Sequence, residues 1–227
     1  MNKVSAIILA AGSGSRFGEK KQFKKLNGKP VWFYSLNTFI KSGYVNELIL
    51  VVPCNSSVTL IQSQVFKSLN KKNSIKLVSG GESRKDSVLN GLKAVKKSNN
   101  IVCIHDAARP FIKPFYIKDS IESCRQCDGA IIAIPAVDTV KKADNMYIKN
   151  TIDRASLWMA QTPQTFKKEM LLHAIKTYPN LNITDESMLM EEADFKIKLI
   201  QGDYLNIKIT NQIDWKLAKV IAGENKL

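Results

Sequence analysis

The chain has 227 residues, 44% of them hydrophobic, and this length and composition suit a single α/β domain with a full core over residues 1–227. Its formal net charge is +14 at pH 7, but the lysines are scattered, whereas a specific nucleic-acid-binding protein would cluster them on one helix or stripe. Because no apolar run reaches the ~18 residues of a membrane span, and the first residues lack the cleavage region of a signal peptide, we expect a cytoplasmic protein with no specific nucleic-acid partner and no membrane partner.

Apolar runs typical of buried strands alternate with helical patterns along the first two thirds of the chain. The patterns predict strands at 4–9, 47–53, 75–79, 100–105 and 129–135, and helices at 30–41, 57–69, 84–97 and 115–126. This alternation predicts an α/β fold with three layers, in which helices cover both faces of a mostly parallel, twisted sheet. Ligands of such sheets bind at the carboxyl ends of the strands, so the segments that follow strands are the candidates for a site.

The first of these segments is the turn in AIILAAGSGSRFGEKKQ, which follows the first strand. It could be an ordinary strand-to-helix turn. A dinucleotide fingerprint fits poorly, because the spacing of Gly12, Gly14 and Gly18 is one residue too long and the expected ribose-binding acid is missing. An ATP P-loop fails because no Gly-Lys-Ser/Thr follows. A loop around a nucleoside triphosphate, with Arg16 and Lys21 reaching its phosphates, is the interpretation that uses the basic residues.

Polar residues also follow the third and fourth predicted strands. In GGESRKDSVLNG, Arg84 and Ser87 can donate hydrogen bonds to a ribose, a base or a phosphate, although the segment could also be a capped helix start. In HDAARPF, Asp106 stands at a strand end opposite the cationic loop, where a carboxylate suits Mg²⁺ that is shared with substrate phosphates. Arg109 precedes a proline, which favours an extended backbone, and we expect His105 to be structural.

Residues 136–159 interrupt the alternation with two short strand-like pieces, 137–142 and 146–152, about a polar turn. A protruding β-arm is the simplest interpretation, and because an isolated hairpin is marginal in water we expect it to clasp a second subunit in a homodimer. After the arm come AQTPQTF, a helix to about residue 178, a helix opening at Thr184, a strand near 197–201, and NIKIT.

In chain order, AAGSGSRFG, KQF, GGESRKDSVLNG, HDAARPF, DTVKKA, DRASLWMAQTPQTF, TDES and NIKIT resemble the 2-C-methyl-D-erythritol 4-phosphate cytidylyltransferases, over about residues 3–221. The resemblance implies a Rossmann-like nucleotidyltransferase fold and, with Mg²⁺ or another divalent cation, transfer of a cytidylyl group from CTP to 2-C-methyl-D-erythritol 4-phosphate. Pyrophosphate is released and 4-diphosphocytidyl-2-C-methyl-D-erythritol forms, in non-mevalonate isoprenoid biosynthesis. The family usually has proline where this chain has Lys20, and often where it has Leu9.

The resemblance also implies roles for particular residues. Those expected to hold CTP are Ala10, Ala11, Gly12, Gly14, Gly81, Arg84 and Ser87. Those expected to take part in catalysis are Arg16, Lys21, Asp106, Arg154 and Lys208, with Asp106 carrying the metal. Those expected to recognise the polyol phosphate are Arg109, Thr139, Arg154, Thr162, Thr184 and Lys208. Thr139 and Arg154, from the arm, would serve the neighbouring subunit's site.

Other functions stay open at this point. A ribitol 5-phosphate cytidylyltransferase would share the loop and take a different polyol, although HDAAR, LWMAQTPQ and TDES resemble the methylerythritol enzymes more. A sugar-1-phosphate nucleotidyltransferase would share the first loop but not the later segments. A non-catalytic polyanion-binding protein would explain the charge but not the arginines within the motifs.

Overall fold

A seven-stranded sheet forms the centre of the computed structural model, which describes residues 3–224. Its strands are β1 (Val4–Leu9), β4 (Glu47–Val52), β5 (Lys76–Ser79), β6 (Ile101–Asp106), β7 (Gly129–Pro135), β10 (Trp158–Lys167) and β11 (Ile197–Gln201). They lie in the order β11-β7-β10-β6-β1-β4-β5. All neighbours are parallel except β10, which runs antiparallel to β6 and β7. The predicted mostly parallel sheet is therefore confirmed.

Eight helices are present in the described chain, and two two-stranded hairpins stand outside the sheet. The helices are α1 (Val31–Ser42), α2 (Ser57–Gln62), α3 (Gln64–Asn73), α4 (Arg84–Ala94), α5 (Pro114–Cys124), α6 (Lys168–Thr177), α7 (Glu186–Glu192) and α8 (Gln212–Glu224). The hairpins are β2 (Lys25–Leu26) with β3 (Lys29–Pro30), and β8 (Val140–Asp144) with β9 (Tyr147–Ile152). Within residues 3–224, no helix is long and apolar enough to cross a membrane.

Two apolar clusters cover the two faces of the sheet and make it a three-layer structure. Successive side chains of a strand point to opposite faces, and β1 divides accordingly. Ile8 packs with residues of α1, α3 and α5, whereas Ile7 packs with residues of α4, α6 and α7. A third cluster joins Phe17, Leu26 and Trp215 beside the sheet. The central strands are buried on both faces, which is why they read as continuous apolar runs in the sequence.

Local sequence signals explain most element boundaries. Helix α1 follows Pro30 and ends at Gly43, whose φ of 73° is the left-handed conformation that favours glycine. Helix α4 begins with a capping box, because Ser83 and Asp86 each accept a hydrogen bond from the other's backbone N–H. The capped helix start that the sequence left open for this segment is therefore present.

The structure corrects some of the predicted elements and adds others. The single helix expected over 57–69 is two helices, because the Ser63 side chain accepts a hydrogen bond from the Phe66 N–H and caps a new one. The helix expected over 84–97 ends at Ala94. AQTPQTF belongs to strand β10, and helix α8 has no counterpart among the predicted elements. The arm is a hairpin as predicted, but its first strand is Val140–Asp144 rather than 137–142, whereas β9 and the strand at 197–201 lie close to their predicted positions.

Candidate active site

A cavity of about 410 Å³ lies at the carboxyl ends of β1 and β6. The strand register pairs Leu9 with Asp106, so the loop that leaves β1 lies beside the carboxylate that ends β6. The segment that opens α4 also lines the cavity. The cavity brings together eleven residues predicted to bind the nucleotide or to take part in catalysis, namely Ala10, Ala11, Gly12, Gly14, Arg16, Lys21, Gly81, Arg84, Ser87, Asp106 and Lys208.

The loop after β1, residues 10–20, is called here the glycine loop, and it needs glycine at Gly14. This residue has a φ of +76°, and a Cβ added there would lie 1.9 Å from the carbonyl oxygen of Glu19. The Gly14 carbonyl accepts hydrogen bonds from the N–H groups of Phe17 at 2.8 Å and Gly18 at 3.0 Å. Arg16 therefore sits in a tight turn whose geometry only glycine permits.

Asp106 lies between cations from two other segments. Its carboxylate is 2.6 Å from the Lys208 ammonium and 3.4 Å from Nε of Arg84. Burial alone would raise the pKa of this carboxyl, but Arg84, Lys208 and Arg109 outweigh burial and hold the pKa well below its usual range. Asp106 is therefore ionised at neutral pH.

A single carboxylate at this point fits a magnesium site completed by substrate phosphates. Mg²⁺ is commonly held by one or two carboxylates plus phosphate oxygens rather than by an all-protein cage. Consistent with this, residues 3–224 contain no cluster of three or more His, Cys, Asp or Glu side chains that could hold a metal. Two carboxylates line the cavity, the exposed Glu82 and the buried Asp106, and Asp106 is the one that ends β6 beside the glycine loop.

Arg84 is held from both sides by carboxylates. Besides Asp106 it contacts Glu186 in the first turn of α7, with Nη1 2.6 Å and 2.8 Å from the two carboxylate oxygens. Burial lowers the pKa of the guanidinium, but the two carboxylates raise it by more than burial lowers it. Arg84 therefore stays charged. The sequence does not single out Glu186, because nothing local shows that it meets an arginine 102 residues away.

Lys21 lies among other cations of the cavity. Burial, Lys208 and Arg16 together lower the pKa of its ammonium, and the carboxylates of Asp106 and Asp214 oppose this. The positive charges around Lys21 repel one another, and a polyanion placed between them would relieve that repulsion. The arrangement is therefore suited to phosphate groups.

Two residues expected to bind the polyol phosphate lie behind Asp106, outside the cavity lining. The Arg109 guanidinium donates to the carbonyl oxygens of Asn206 at 2.8 Å and Ala160 at 3.3 Å, while its buried Nε has no partner within residues 3–224. Thr162 Oγ1 accepts a hydrogen bond from the Asp106 N–H at 3.1 Å. Thr162 therefore contacts the backbone of Asp106, and the charge of Arg109 contributes to the lowered pKa of the Asp106 carboxyl.

The remaining three predicted residues stand apart from the cavity lining. Thr139 and Arg154 are exposed on the arm, where Arg154 donates a hydrogen bond to the Val137 carbonyl. Thr184 is exposed just before Asp185, which caps α7 by accepting a hydrogen bond from the Met188 N–H. The cavity of one chain therefore does not gather every residue that the resemblance implies.

His105 is structural, as predicted. It is fully buried against Phe39, with ring centroids 5.3 Å apart. Its Nε2 lies 3.1 Å from the Arg109 carbonyl, which can only accept, and its Nδ1 lies 3.0 Å from the Thr162 hydroxyl. These partners assign the proton of a neutral ring to Nε2. Burial lowers the pKa of His105 to about 4, so the ring is neutral at pH 7.

A parallel sheet with a glycine loop after its first strand, converging cations and one buried carboxylate defines a protein that binds a nucleoside polyphosphate. Comparison with known proteins narrows this class. The family model for 2-C-methyl-D-erythritol 4-phosphate cytidylyltransferase (IspD) matches residues 4–224, and the chain belongs to this family.

Individual relatives are similar to this chain over nearly their full length. The chain is 36% identical to the 2-C-methyl-D-erythritol 4-phosphate cytidylyltransferase of Alkaliphilus metalliredigens, over 99% of this chain and 95% of the relative. It is 39% identical to that of Clostridium acetobutylicum, over 98% of each. Among solved structures, the 4-diphosphocytidyl-2C-methyl-D-erythritol synthase of Anaerococcus prevotii superposes with a TM-score of 0.84 at 32% identity, covering 98% of this chain and 99% of that one.

Proposed function

We propose that the protein transfers the cytidylyl group of CTP to 2-C-methyl-D-erythritol 4-phosphate, with release of pyrophosphate, in isoprenoid biosynthesis. The observation that carries the proposal is the cavity, in which Arg16, Lys21, Arg84 and Lys208 converge beside the ionised Asp106. Membership of the cytidylyltransferase family supports the choice of substrates.

The reaction is an in-line displacement at the α-phosphorus of CTP. A phosphate oxygen of the polyol phosphate attacks, and the bond to the pyrophosphate oxygen breaks. The attacking oxygen is already anionic, so the protein needs neither a covalent nucleophile nor a strong base. Its work is to hold two polyanions together and to stabilise the charge of the transferring group.

The residues divide this work by their chemistry. Arg16 offers a planar fork of donors to phosphate oxygens, and Lys21 offers a compact charge. Asp106 would hold Mg²⁺ or another divalent cation, which supplies charge neutralisation on the triphosphate when bound. The backbone and side chains assigned to CTP are those of Ala10, Ala11, Gly12, Gly14, Gly81, Arg84 and Ser87. The side chains assigned to the polyol phosphate are those of Arg109, Thr139, Arg154, Thr162, Thr184 and Lys208.

The assembly in this proposal is a homodimer in the cytoplasm. Thr139 and Arg154 are exposed on the arm and do not line the cavity of their own chain. In the proposed dimer the arm of one subunit carries them to the cavity of the other.

The test is release of pyrophosphate by the purified protein with each of four nucleoside triphosphates against methylerythritol phosphate, ribitol 5-phosphate and a sugar 1-phosphate. We expect turnover with CTP and methylerythritol phosphate alone. Turnover with ribitol 5-phosphate instead would assign the sister activity, and no turnover with any pair would leave a binding protein. Arg16→Ala and Lys21→Ala are the control variants, and each should lower kcat about 10²–10³-fold by analogy with the loss of an oxyanion donor.

A further inference from the structure

Gln22 directly follows Lys21 in the 3₁₀ turn Lys21–Phe23, and it is a polar side chain with 4% of its surface exposed. Its Nε2 donates to the carbonyl oxygens of Ala10 at 2.8 Å and Gly12 at 2.7 Å. Both hydrogens of the amide group are thus used, and both acceptors belong to the start of the glycine loop. The side chain joins the turn that carries Lys21 to the loop that carries Arg16.

The backbone of the turn makes its hydrogen bonds locally. The Lys21 N–H donates to the Glu19 carbonyl at 2.7 Å, the Phe23 N–H to Lys20 at 2.9 Å, and the Lys24 N–H to Lys21 at 3.0 Å. These bonds shape the turn but do not tie it to β1. The amide of Gln22 makes that connection, and Phe23 adds apolar packing against the core.

We propose that Gln22 is a positioning residue for the transfer reaction, because its two hydrogen bonds fix the turn that presents Lys21 to the reacting phosphates. The proposal rests on the proposed function. Gln22 itself touches the loop carbonyls and need not touch the substrates. The two acceptors are backbone carbonyls two residues apart. An amide NH₂ has the two N–H donors that can bond to both of them at once.

Gln22→Met tests this with a side chain of similar length and no donors. The Ala10 and Gly12 carbonyls lose their partner, and Lys21 loses its fixed position. Since small misplacement of a catalytic group can cost about 10²-fold in rate, we expect kcat to fall by about 10²-fold. We expect KM for CTP to change less than about threefold, because the contact that is lost, between Lys21 and the reacting phosphates, acts mainly in the transition state.

Lys20→Pro provides a rescue that a general loss of stability would not show. Lys20 has a φ of −71°, close to the angle that proline imposes. In the Gln22→Met background it should restrict the same turn and restore kcat about tenfold. The matched control is Gln62→Met, the same substitution at an exposed glutamine of α2, which should leave kcat unchanged.

Hydrogen exchange of residues 12–23 gives a readout that does not depend on turnover. Exchange should be faster in Gln22→Met than in the wild type and unchanged in Gln62→Met. If Gln22→Met does not fold, Gln22→Asn, whose shorter amide cannot span both carbonyls, is measured in the same way. A folded Gln22 variant with kcat within threefold of the wild type, or with unchanged exchange, overturns the proposal. If the wild type turns over no substrate pair, the proposed function fails and exchange alone decides the role of Gln22.

Discussion

The charge of the cavity depends on a few side chains whose states are fixed by their neighbours. Five cations meet three carboxylates there and immediately behind it: Arg16, Lys21, Arg84, Arg109 and Lys208 against the buried Asp106 and Glu186 and the exposed Glu82. The two buried carboxylates keep Arg84 charged and in place, and the surplus of positive charge is left for substrate phosphates. The net charge of the site therefore favours a polyanionic ligand.

His105 makes the fold sensitive to acid. Burial lowers its pKa to about 4 in the folded chain, whereas an unfolded chain has a histidine pKa of about 6.5. The unfolded state therefore binds more protons between these values, so this stabilisation is complete above about pH 6.5 and is lost as the pH falls towards 4. At pH 5 the expected loss of unfolding free energy is about 2 kcal/mol.

Urea denaturation of the wild type and of His105→Gln at pH 7.5 and pH 5 measures the contribution of His105 to the unfolding free energy. The variant keeps a donor for the Arg109 carbonyl but cannot take a proton, so its stability should fall less between the two pH values. His173→Gln, at an exposed histidine, is the control and should follow the wild type. Equal losses in the wild type and in His105→Gln would contradict the assignment.

At the scale of elements, α8 anchors the glycine loop from outside the sheet. The Phe17 ring packs edge-on against Trp215 of α8 with centroids 6.0 Å apart, and Lys24 Nζ lies 5.6 Å and 5.4 Å from the two ring centroids. Gln212 Nε2 donates to the Phe17 carbonyl at 2.9 Å. Because Phe17 follows Arg16, we expect the helix to influence the position of Arg16 through Phe17.

Trp215→Ala should therefore affect both stability and the loop. Truncating a buried tryptophan should lower the unfolding free energy by about 3 kcal/mol or more, and a loosened Phe17 should lower kcat about tenfold. Leu217→Ala, on the exposed face of the same helix, should change stability by less than about 0.5 kcal/mol. Thermal denaturation and initial rates measure both effects. If the Trp215→Ala protein, assayed at a temperature well below its Tm, has the kcat of the wild type, α8 does not hold the loop.

The sequence correctly predicts those elements that are determined by the pattern of neighbouring residues. Strands β1 and β6 are apolar runs, and they place the glycine loop and Asp106 side by side. Strand β10 has no such pattern, because it buries the polar residues Gln164 and Thr165, whose side chains hydrogen-bond to the distant Asp185 and Ser120. The Arg84–Glu186 pair and the contact of α8 with Phe17 likewise depend on tertiary packing. No periodicity within the chain encodes them.

At the scale of the whole molecule, the arm leaves apolar side chains in water. Met146 is 97% exposed and Ile148 67% exposed, and β8 and β9 pair only with each other within residues 3–224. A two-stranded hairpin is marginal alone, and covering its apolar tip against a second subunit would stabilise it. The prediction is a dimer in solution, with a mass twice that of the 25.4-kDa chain.

Light scattering at micromolar concentration measures the mass. Ile148→Asp should shift it towards one chain, while Val58→Asp, at an equally exposed position on α2, should leave the dimer intact. A wild-type mass of one chain would remove the dimer from the proposal.

Mixing two inactive variants tests whether the arm of one subunit contributes Arg154 to the active site of the other. Lys21→Ala inactivates a chain's own cavity, and Arg154→Ala, on the arm, should inactivate the neighbour's. In a mixed dimer one cavity has its own Lys21 and receives Arg154 from the partner, so that cavity is complete. With random exchange of subunits, half of the dimers are mixed and each holds one complete site, so about a quarter of wild-type activity should return. If Arg154 serves its own chain, both cavities of the mixed dimer are defective and no activity returns.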